Sequence, residues 1–411
     1  MGQTEKMKIV IVGHVDHGKS SLIGRLLYDT NSLAEDKIKE VENISQKMGK
    51  SIEFAFLLDH LQEEREQGIT IDTTQTFFKT SKREYVIIDA PGHVEFIRNM
   101  VTGAAQADAA VLIVDAKEGI QEQTKRHAFI LSMLGMEQIM LVINKMDLIQ
   151  YQEDIFNDIV SEIKSFLESI NLNVGFAIPI SAVGGDNIAM KSSNMDWYTG
   201  LTVLETLDSL GIRQDDLNSP AVMPVQDIYK IDDKRIAVGR LETGILKVGD
   251  ELTVLPTMQK TRIKSIEKFL DNINEVKAGD SVGVTTTDPV FMERGSVVSA
   301  AGSEIKVTDC FCASLFWMAH TDLKVGEKVT LRCATQEISC EVTEIHKKIN
   351  SSTLQQITDD LSKLNELDVC QVSVQTKSPI AVSMFKELQS LGRFVIVKNN
   401  NISAGGIITG F

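Results

Sequence analysis

The run Lys8-Ile-Val-Ile-Val12 stops at Gly13-His-Val-Asp-His-Gly18-Lys19-Ser20, and a helical pattern begins at once over Ser20 to Tyr28. A strand that ends in G-x-x-x-x-G-K-[ST] and opens a helix has few ways to fold. The glycines let backbone N–H groups close around phosphate oxygens, and the helix N-terminus adds its dipole. Lys19 supplies a point charge for β- and γ-oxygens, and the Ser20 hydroxyl is a magnesium ligand. The remaining apolar runs agree with a sheet behind this loop. Tyr85-Val-Ile-Ile88, Ala109-Ala-Val-Leu-Ile-Val114, Met140-Leu-Val-Ile143 and Phe176-Ala-Ile-Pro-Ile180 are short, β-branched and not alternating. That is the pattern of parallel strands buried on both faces. Helical periodicity fills the gaps at Thr124 to Leu134 and Asp154 to Ile170. Strand–helix alternation predicts a doubly wound, mostly parallel sheet, with its polar motifs gathered at the carboxyl edge.

Two further motifs say what lies there. Asp89-Ala-Pro-Gly92-His93 closes one strand. Asp89 can hold magnesium through water, and the Gly92 N–H can report the loss of a γ-phosphate. Asn144-Lys145-Met146-Asp147 closes another strand. The two carboxylate oxygens of Asp147 match guanine N1–H and the exocyclic amine. Adenine lacks that donor pair and would leave the acceptor unmatched. Asn144 can tie this strand to the phosphate loop, and the stem of Lys145 can lie over the base. Ser181-Ala182, with Val183 beyond, completes the base pocket. The predicted nucleotide-binding set is therefore Gly13, His14, Val15, Asp16, His17, Gly18, Lys19, Ser20, Ser21, Asp89, Gly92, Asn144, Lys145, Asp147, Ser181, Ala182 and Val183.

Near Asn218-Ser-Pro220 the pattern changes to short alternating segments punctuated by Lys247-Val-Gly-Asp250, Lys277-Ala-Gly-Asp280 and Lys324-Val-Gly-Glu327. Such turn spacing predicts small β-barrels. The predicted domains are 1–216, then barrels at 217–301 and 302–411. The net charge of −15 argues against a long footprint on bare DNA or anionic lipid. No apolar run reaches the roughly 20 residues of a membrane helix, and no signal peptide is recognisable, so a cytoplasmic protein is expected. The five cysteines, Cys310, Cys312, Cys333, Cys340 and Cys370, fit a reducing compartment. Cys310 and Cys312 would share a strand face; burial is the favoured reading and a metal site the alternative.

The three loop motifs resemble the GTPase superfamily, and Arg65-Glu-Gln-Gly68-Ile69-Thr70-Ile71-Asp72 resembles its translation-factor branch. The resemblance implies an elongation-factor-Tu-like architecture that binds GTP or GDP with Mg2+. It implies that Ser20, Thr70 and Asp89 hold the metal and that His93, Lys19 and Thr70 serve catalysis, with His93 orienting the attacking water. It also implies an apolar gate of Val15 and Ile69 around His93, and a monovalent ion beside Asp16. Ser21 to Leu27, Arg98 to Gly103, Gln123 to His127, Gly185-Asp-Asn187, Met195 to Gly200, Phe316-Trp-Met-Ala319 and Leu391 to Val395 are similar to the GTPase subunit of bacterial ATP sulfurylase. That family couples GTP hydrolysis to formation of adenosine 5′-phosphosulfate by a separate catalytic subunit. His14, His17 and Ala90 look more like elongation factors, so the alternative is a carrier of aminoacyl-tRNA to the ribosome. Against that alternative, residues 300–411 show no evident Lys/Arg stripe.

Overall fold

The computed structural model describes residues 6–33, 75–88, 107–170, 172–212, 216–231, 234–268, 271–350, 355–357 and 360–411. They form two compact units, one running to Ile212 and one beyond it.

The first unit is built on β1 (Lys6–Gly13), β2 (Gln75–Lys79), β3 (Glu84–Ile88), β4 (Ala109–Asp115), β5 (Ile139–Asn144) and β6 (Val174–Pro179). Their order across the sheet is β2-β3-β1-β4-β5-β6. All neighbours are parallel except β2, which returns antiparallel along β3. Every residue of β4 and β5 is buried, which is why these runs carry no alternation. The edge strand β2 is not evident from the sequence. It is five residues long, and only one of its two central aromatics faces inward. Phe78 stacks on Tyr85 with centroids 4.7 Å apart, while Phe77 is exposed.

Among the described residues four helices cover the sheet: α1 (Lys19–Asp29), α2 (Glu122–Met133), α3 (Glu153–Ser169) and α4 (Val203–Ser209). In α3, Phe156, Ile159, Val160, Ile163 and Leu167 are buried at helical spacing, so one stripe faces the sheet. In α4 the start is fixed by a capping box between Thr202 and Glu205. Leu22, Ile23, Leu26 and Leu27 of α1 join Ile9, Ile11, Val111, Ile113 and Val142 in one core. Each such side chain contributes roughly 1.5–3 kcal/mol by leaving water. That burial fixes α1 against β1, and hence the loop between them.

Register sets the site. Gly13 lies opposite Ile113, and Asp115 lies opposite Asn144. Ile180, just past β6, donates its N–H to Ile143 O. The chain leaves β1, β4, β5 and β6 along one rim. The strand order reverses at β1, which has β3 on one side and β4 on the other. Ligands of open α/β sheets bind at such a reversal.

The second unit is β-rich. Its first sheet contains β7 (Val222–Ile231), β8 (Lys234–Arg240), β10 (Glu251–Leu255), β11 (Gln259–Lys268), β12 (Asp271–Ile273), β14 (Ser281–Thr286) and β15 (Val297–Ala300). It closes through a β10–β11 pairing, with β9 (Ile245–Lys247) and β13 (Glu275–Lys277) as a small separate ribbon. The second sheet is built from β16 (Lys306–Trp317), β18 (Lys328–Cys333), β19 (Gln336–Asn350), β20 (Gln356–Ile357), β22 (Asp368–Val382), β23 (Arg393–Lys398) and β24 (Asn401–Gly410). It closes through β18–β19, beside a ribbon of β17 (Leu323–Lys324) and β21 (Lys363–Leu364). Both closures remove exposed edges. The three repeated Lys-x-Gly-acid segments are one device. Gly249, Gly279 and Gly326 have φ of 95°, 90° and 80°, and Asp250, Asp280 and Glu327 accept the N–H of the lysine three residues back.

The cysteines divide. Cys333, Cys340 and Cys370 are buried, and burial pushes each thiol up to about 12. Cys310 and Cys312 are exposed, against the favoured expectation, because Phe311 and Ala313 take the inward positions of β16. Among the described residues no cluster of three His, Cys, Asp or Glu is placed to hold a metal ion. Nor is any described helix long and apolar enough to cross a membrane.

Candidate nucleotide site

At the phosphate end, two glycines are dictated by contact. A Cβ at Gly13 would lie 2.3 Å from Ile113 O. A Cβ at Gly18, which has φ of 91°, would lie 2.2 Å from Asn144 Nδ2. Asp16 is exposed and also left-handed, with φ of 62°. The loop curls around Lys19, whose Nζ donates to Gly13 O at 3.0 Å and His14 O at 2.6 Å. Gly18 gives α1 no side-chain cap, and the first turn holds no acid. The leading N–H groups and the positive end of the dipole are thus directed at an anion from outside the helix. Ser20 is exposed and Ser21 half-buried on that turn.

Two buried imidazoles, one in this loop and one on α2, are disfavoured from charging. His17 is fully buried, with Nε2 3.2 Å from Glu118 Oε2 and its ring edge-on to that of His14 at 5.1 Å. Burial, the largest influence, keeps its pKa below the usual imidazole range. His127 of α2 is pushed down to about 3, first by burial and then by the charge of Lys19. Half-buried His14 and exposed Val15 complete the loop, and the Val15 N–H donates to Gln123 Oε1 at 3.3 Å.

The base end is assembled from two separate loops, and Asn144 joins them to the first. Its Nδ2 donates to His17 O, and its Oδ1 accepts from the Ala182 N–H, both at 3.0 Å. One buried amide therefore connects the phosphate loop, the end of β5 and the segment after β6. Lys145 is left-handed, with φ of 63°, and its Nζ lies 2.7 Å from Asp115 Oδ2. Burial pushes the Asp115 carboxyl up. Hydrogen bonds from Lys145 and from the N–H groups of Lys117 and Glu118 outweigh it and hold the pKa below the usual range. Asp147 is exposed on the 3-10 turn Met146–Ile149. Ser181 and Ala182 are buried and Val183 is exposed; Val183 O accepts from Arg25 Nη1 at 3.3 Å. This combination can bind polyphosphate along the loop and offer a carboxylate to a base edge.

Thr70, Asp89, Gly92 and His93, with Ile69 and Ala90, lie outside the described residues. The other predicted binding residues come together on one rim. Sequence reasoning missed Asp115, Glu118, Arg25, Tyr151 and Asp186, which hold the predicted residues from behind. Asp115 was the most findable: it ends a buried apolar run, as Gly13 and Asn144 do.

Residues 4–242 match the elongation factor Tu GTP binding domain family, residues 234–298 match elongation factor Tu domain 2, and residues 310–409 match the GTP-eEF1A C-terminal domain-like family. The chain is 35% identical to sulfate adenylyltransferase subunit 1 of Aeromonas hydrophila, over 98% of this chain and 86% of that protein. It is 37% identical to elongation factor 1-alpha of Saccharolobus solfataricus, with 99% and 98% covered. It is 38% identical to elongation factor 1-alpha of Sulfurisphaera tokodaii, with 96% and 95% covered. A phosphate loop, a guanine-type base motif and family matches along nearly the whole chain lead to one conclusion: the chain belongs to the elongation-factor-Tu-type GTPases.

Proposed function

We propose that this GTPase is the GTP-hydrolysing subunit of a sulfate adenylyltransferase. In this reading it couples GTP hydrolysis to formation of adenosine 5′-phosphosulfate from ATP and sulfate on a partner catalytic subunit. Relatives of both kinds are similarly close. The observation that tips the reading is the charge of the last domain. Residues 302–411 hold 11 Lys and Arg against 12 Asp and Glu. Several of those cations are already paired: Arg332 with Glu337, Lys348 with Asp368, Lys363 with Asp322, and Lys398 with Glu327. A surface of this kind offers little to an RNA backbone, whose binding releases counterions in proportion to the free cations presented.

At the nucleotide, the Lys19 ammonium exchanges its two loop carbonyls for β- and γ-phosphate oxygens, and the α1 N-terminus receives the remaining negative charge. The Ser20 hydroxyl is a hard oxygen donor exposed beside that N-terminus, which fits a magnesium ion. Thr70 and Asp89 are its proposed companions. When bound, magnesium neutralises charge on the β- and γ-oxygens. His93 accepts a hydrogen bond from the attacking water. The water oxygen bonds to the γ-phosphorus as the bond to the β–γ bridging oxygen breaks, leaving GDP and phosphate. Thr70 and Gly92 then lose their hold on the γ-phosphate, and this release is the conformational signal. Asp147 selects guanine, and Lys145 covers the ring.

The identity to elongation factor 1-alpha supports a second reading, delivery of aminoacyl-tRNA. The native complex separates the two. Sulfate-dependent pyrophosphate release from ATP that rises with GTP, in the material that co-purifies, supports the first. Retention of aminoacyl-tRNA in a GTP-dependent manner, with no sulfate-dependent release, overturns it.

A further inference from the structure

We propose that Asp186 is a positioning residue for guanine recognition, locking the Asp147-bearing turn and the Ser181–Val183 segment at a fixed separation through the Tyr151 hydroxyl. This inference rests on the guanine reading of the site and deepens it.

The two base-facing loops come from different strands; the Met146 N–H donates to Ile180 O at 3.1 Å and the Ala182 N–H to Asn144 Oδ1 at 3.0 Å, and the Tyr151–Asp186 contact ties them at a third point. Directly after the turn that carries Asp147, Gln150 and Tyr151 are both left-handed, with φ of 55° and 58°. For a tyrosine that conformation is an outlier costing energy, and it persists only where its surroundings over-determine it. Here three bonds do so. The Tyr151 N–H donates to Met146 O at 2.8 Å. Its carbonyl accepts from the Trp197 indole N–H at 3.0 Å. Its hydroxyl donates to Asp186 Oδ2 at 3.2 Å.

Asp186 belongs to the other loop. Its backbone forms a β-bridge with Ser181, the first residue of the base segment. Its Oδ1 accepts from Ser192 Oγ at 2.5 Å and Asn194 Nδ2 at 3.2 Å, so the carboxylate cannot swing without breaking bonds. A Cβ at Gly184 would lie 2.6 Å from Oδ2, which shows how closely the segment wraps this group. Tyr151 remains a donor: burial first, then the Asp186 charge, raises its pKa above the phenol range. The Tyr151 N–H is bonded to Met146 O at the head of the turn and its hydroxyl to Asp186, so a shift of Tyr151 moves the Asp147-bearing turn relative to Ala182. Two-point recognition of the guanine edge degrades before phosphate binding does, because Gly13–Ser20 is anchored elsewhere.

The test uses the full chain and three nucleotides. GDP presents both edge donors, IDP lacks the exocyclic amine, and ADP has neither in the right place. The Kd values are measured by titration calorimetry for wild type, Tyr151→Phe and Asp186→Asn, with thermal melting as a folding control. In Tyr151→Phe, GDP affinity falls about tenfold and IDP affinity by less, so the GDP-to-IDP preference narrows. Asp186→Asn keeps an acceptor and gives a smaller narrowing in the same direction. An unchanged preference in a folded Tyr151→Phe protein overturns the inference. If Asp186→Asn does not fold, Ser192→Ala replaces it, freeing the other carboxylate oxygen and narrowing the preference slightly. A wild-type chain that binds ADP as tightly as GDP refutes the guanine reading itself, a different result from a preference that mutation leaves intact.

Discussion

The phosphate end and the base end of the site are built on opposite plans. The phosphate loop is one continuous segment whose shape comes from backbone freedom: Gly13 abuts β4, and Gly18 is left-handed against Asn144. The base end joins two segments more than thirty residues apart, and side chains shape it: Asn144, the Asp115–Lys145 pair, and the Tyr151–Asp186 contact. A glycine loop is specified by where a Cβ cannot go. A side-chain lattice is specified by which polar atoms would otherwise go unmatched. The first plan fails abruptly when one atom is added, and the second fails by degrees.

Substitutions can break that contrast. The largest effect is expected from Gly18→Ala, which puts a Cβ into Asn144 and a left-handed φ on a residue that resists it. Backbone cost of about 1–2 kcal/mol and overpacking of about 1–3 kcal/mol together predict a loss of GDP affinity of roughly 30-fold at the least and up to several thousand-fold. Near-wild-type binding by calorimetry would show that the loop deforms freely. Asp147→Asn comes next. Losing charge-assisted bonds worth about 1.5–3 kcal/mol should weaken GDP roughly 10- to 100-fold and shift preference away from guanine. Unchanged GDP affinity would remove Asp147 from base recognition.

Asn144→Ala sharpens the comparison, since this amide belongs to both ends. It leaves the buried Ala182 N–H and His17 carbonyl without their partner, a loss of about 1–3 kcal/mol in stability. Urea titration should show the loss, with nucleotide weakened at both its phosphate and its base. The smallest effect is expected from Asp115→Asn, about 1 kcal/mol at neutral pH. The Asp115 pKa is depressed in the folded chain, so its contribution is present above the ordinary carboxyl range. It is lost as pH falls through the folded value. The stability gap between variant and wild type should therefore be full near pH 7 and close below about pH 4. A gap that widened on acidification would contradict the ion-pair assignment.

The strands of the first unit's sheet were legible because burial on both faces forces continuous apolar runs, and the phosphate loop because its two glycines and its lysine fall within seven consecutive residues. The barrel turns were legible for the same local reason: Gly249, Gly279 and Gly326 answer a backbone requirement within four residues. The edge strand Gln75–Lys79 was not, since half its face meets solvent and its pairing is its main distinguishing feature. Exposure of Cys310 and Cys312 was equally hidden, because alternation along β16 does not say which face is inside until the barrel closes.

By itself the sequence singled out the residues proposed to carry phosphate and base chemistry, since those needs are met by residue type and local spacing. Only the tertiary structure decided what supports them. Asp115, Glu118, Tyr151 and Asp186 act across gaps of up to about a hundred residues. Their partners are fixed by strand register and helix packing, quantities that depend on the whole core and leave no mark on any one stretch of chain.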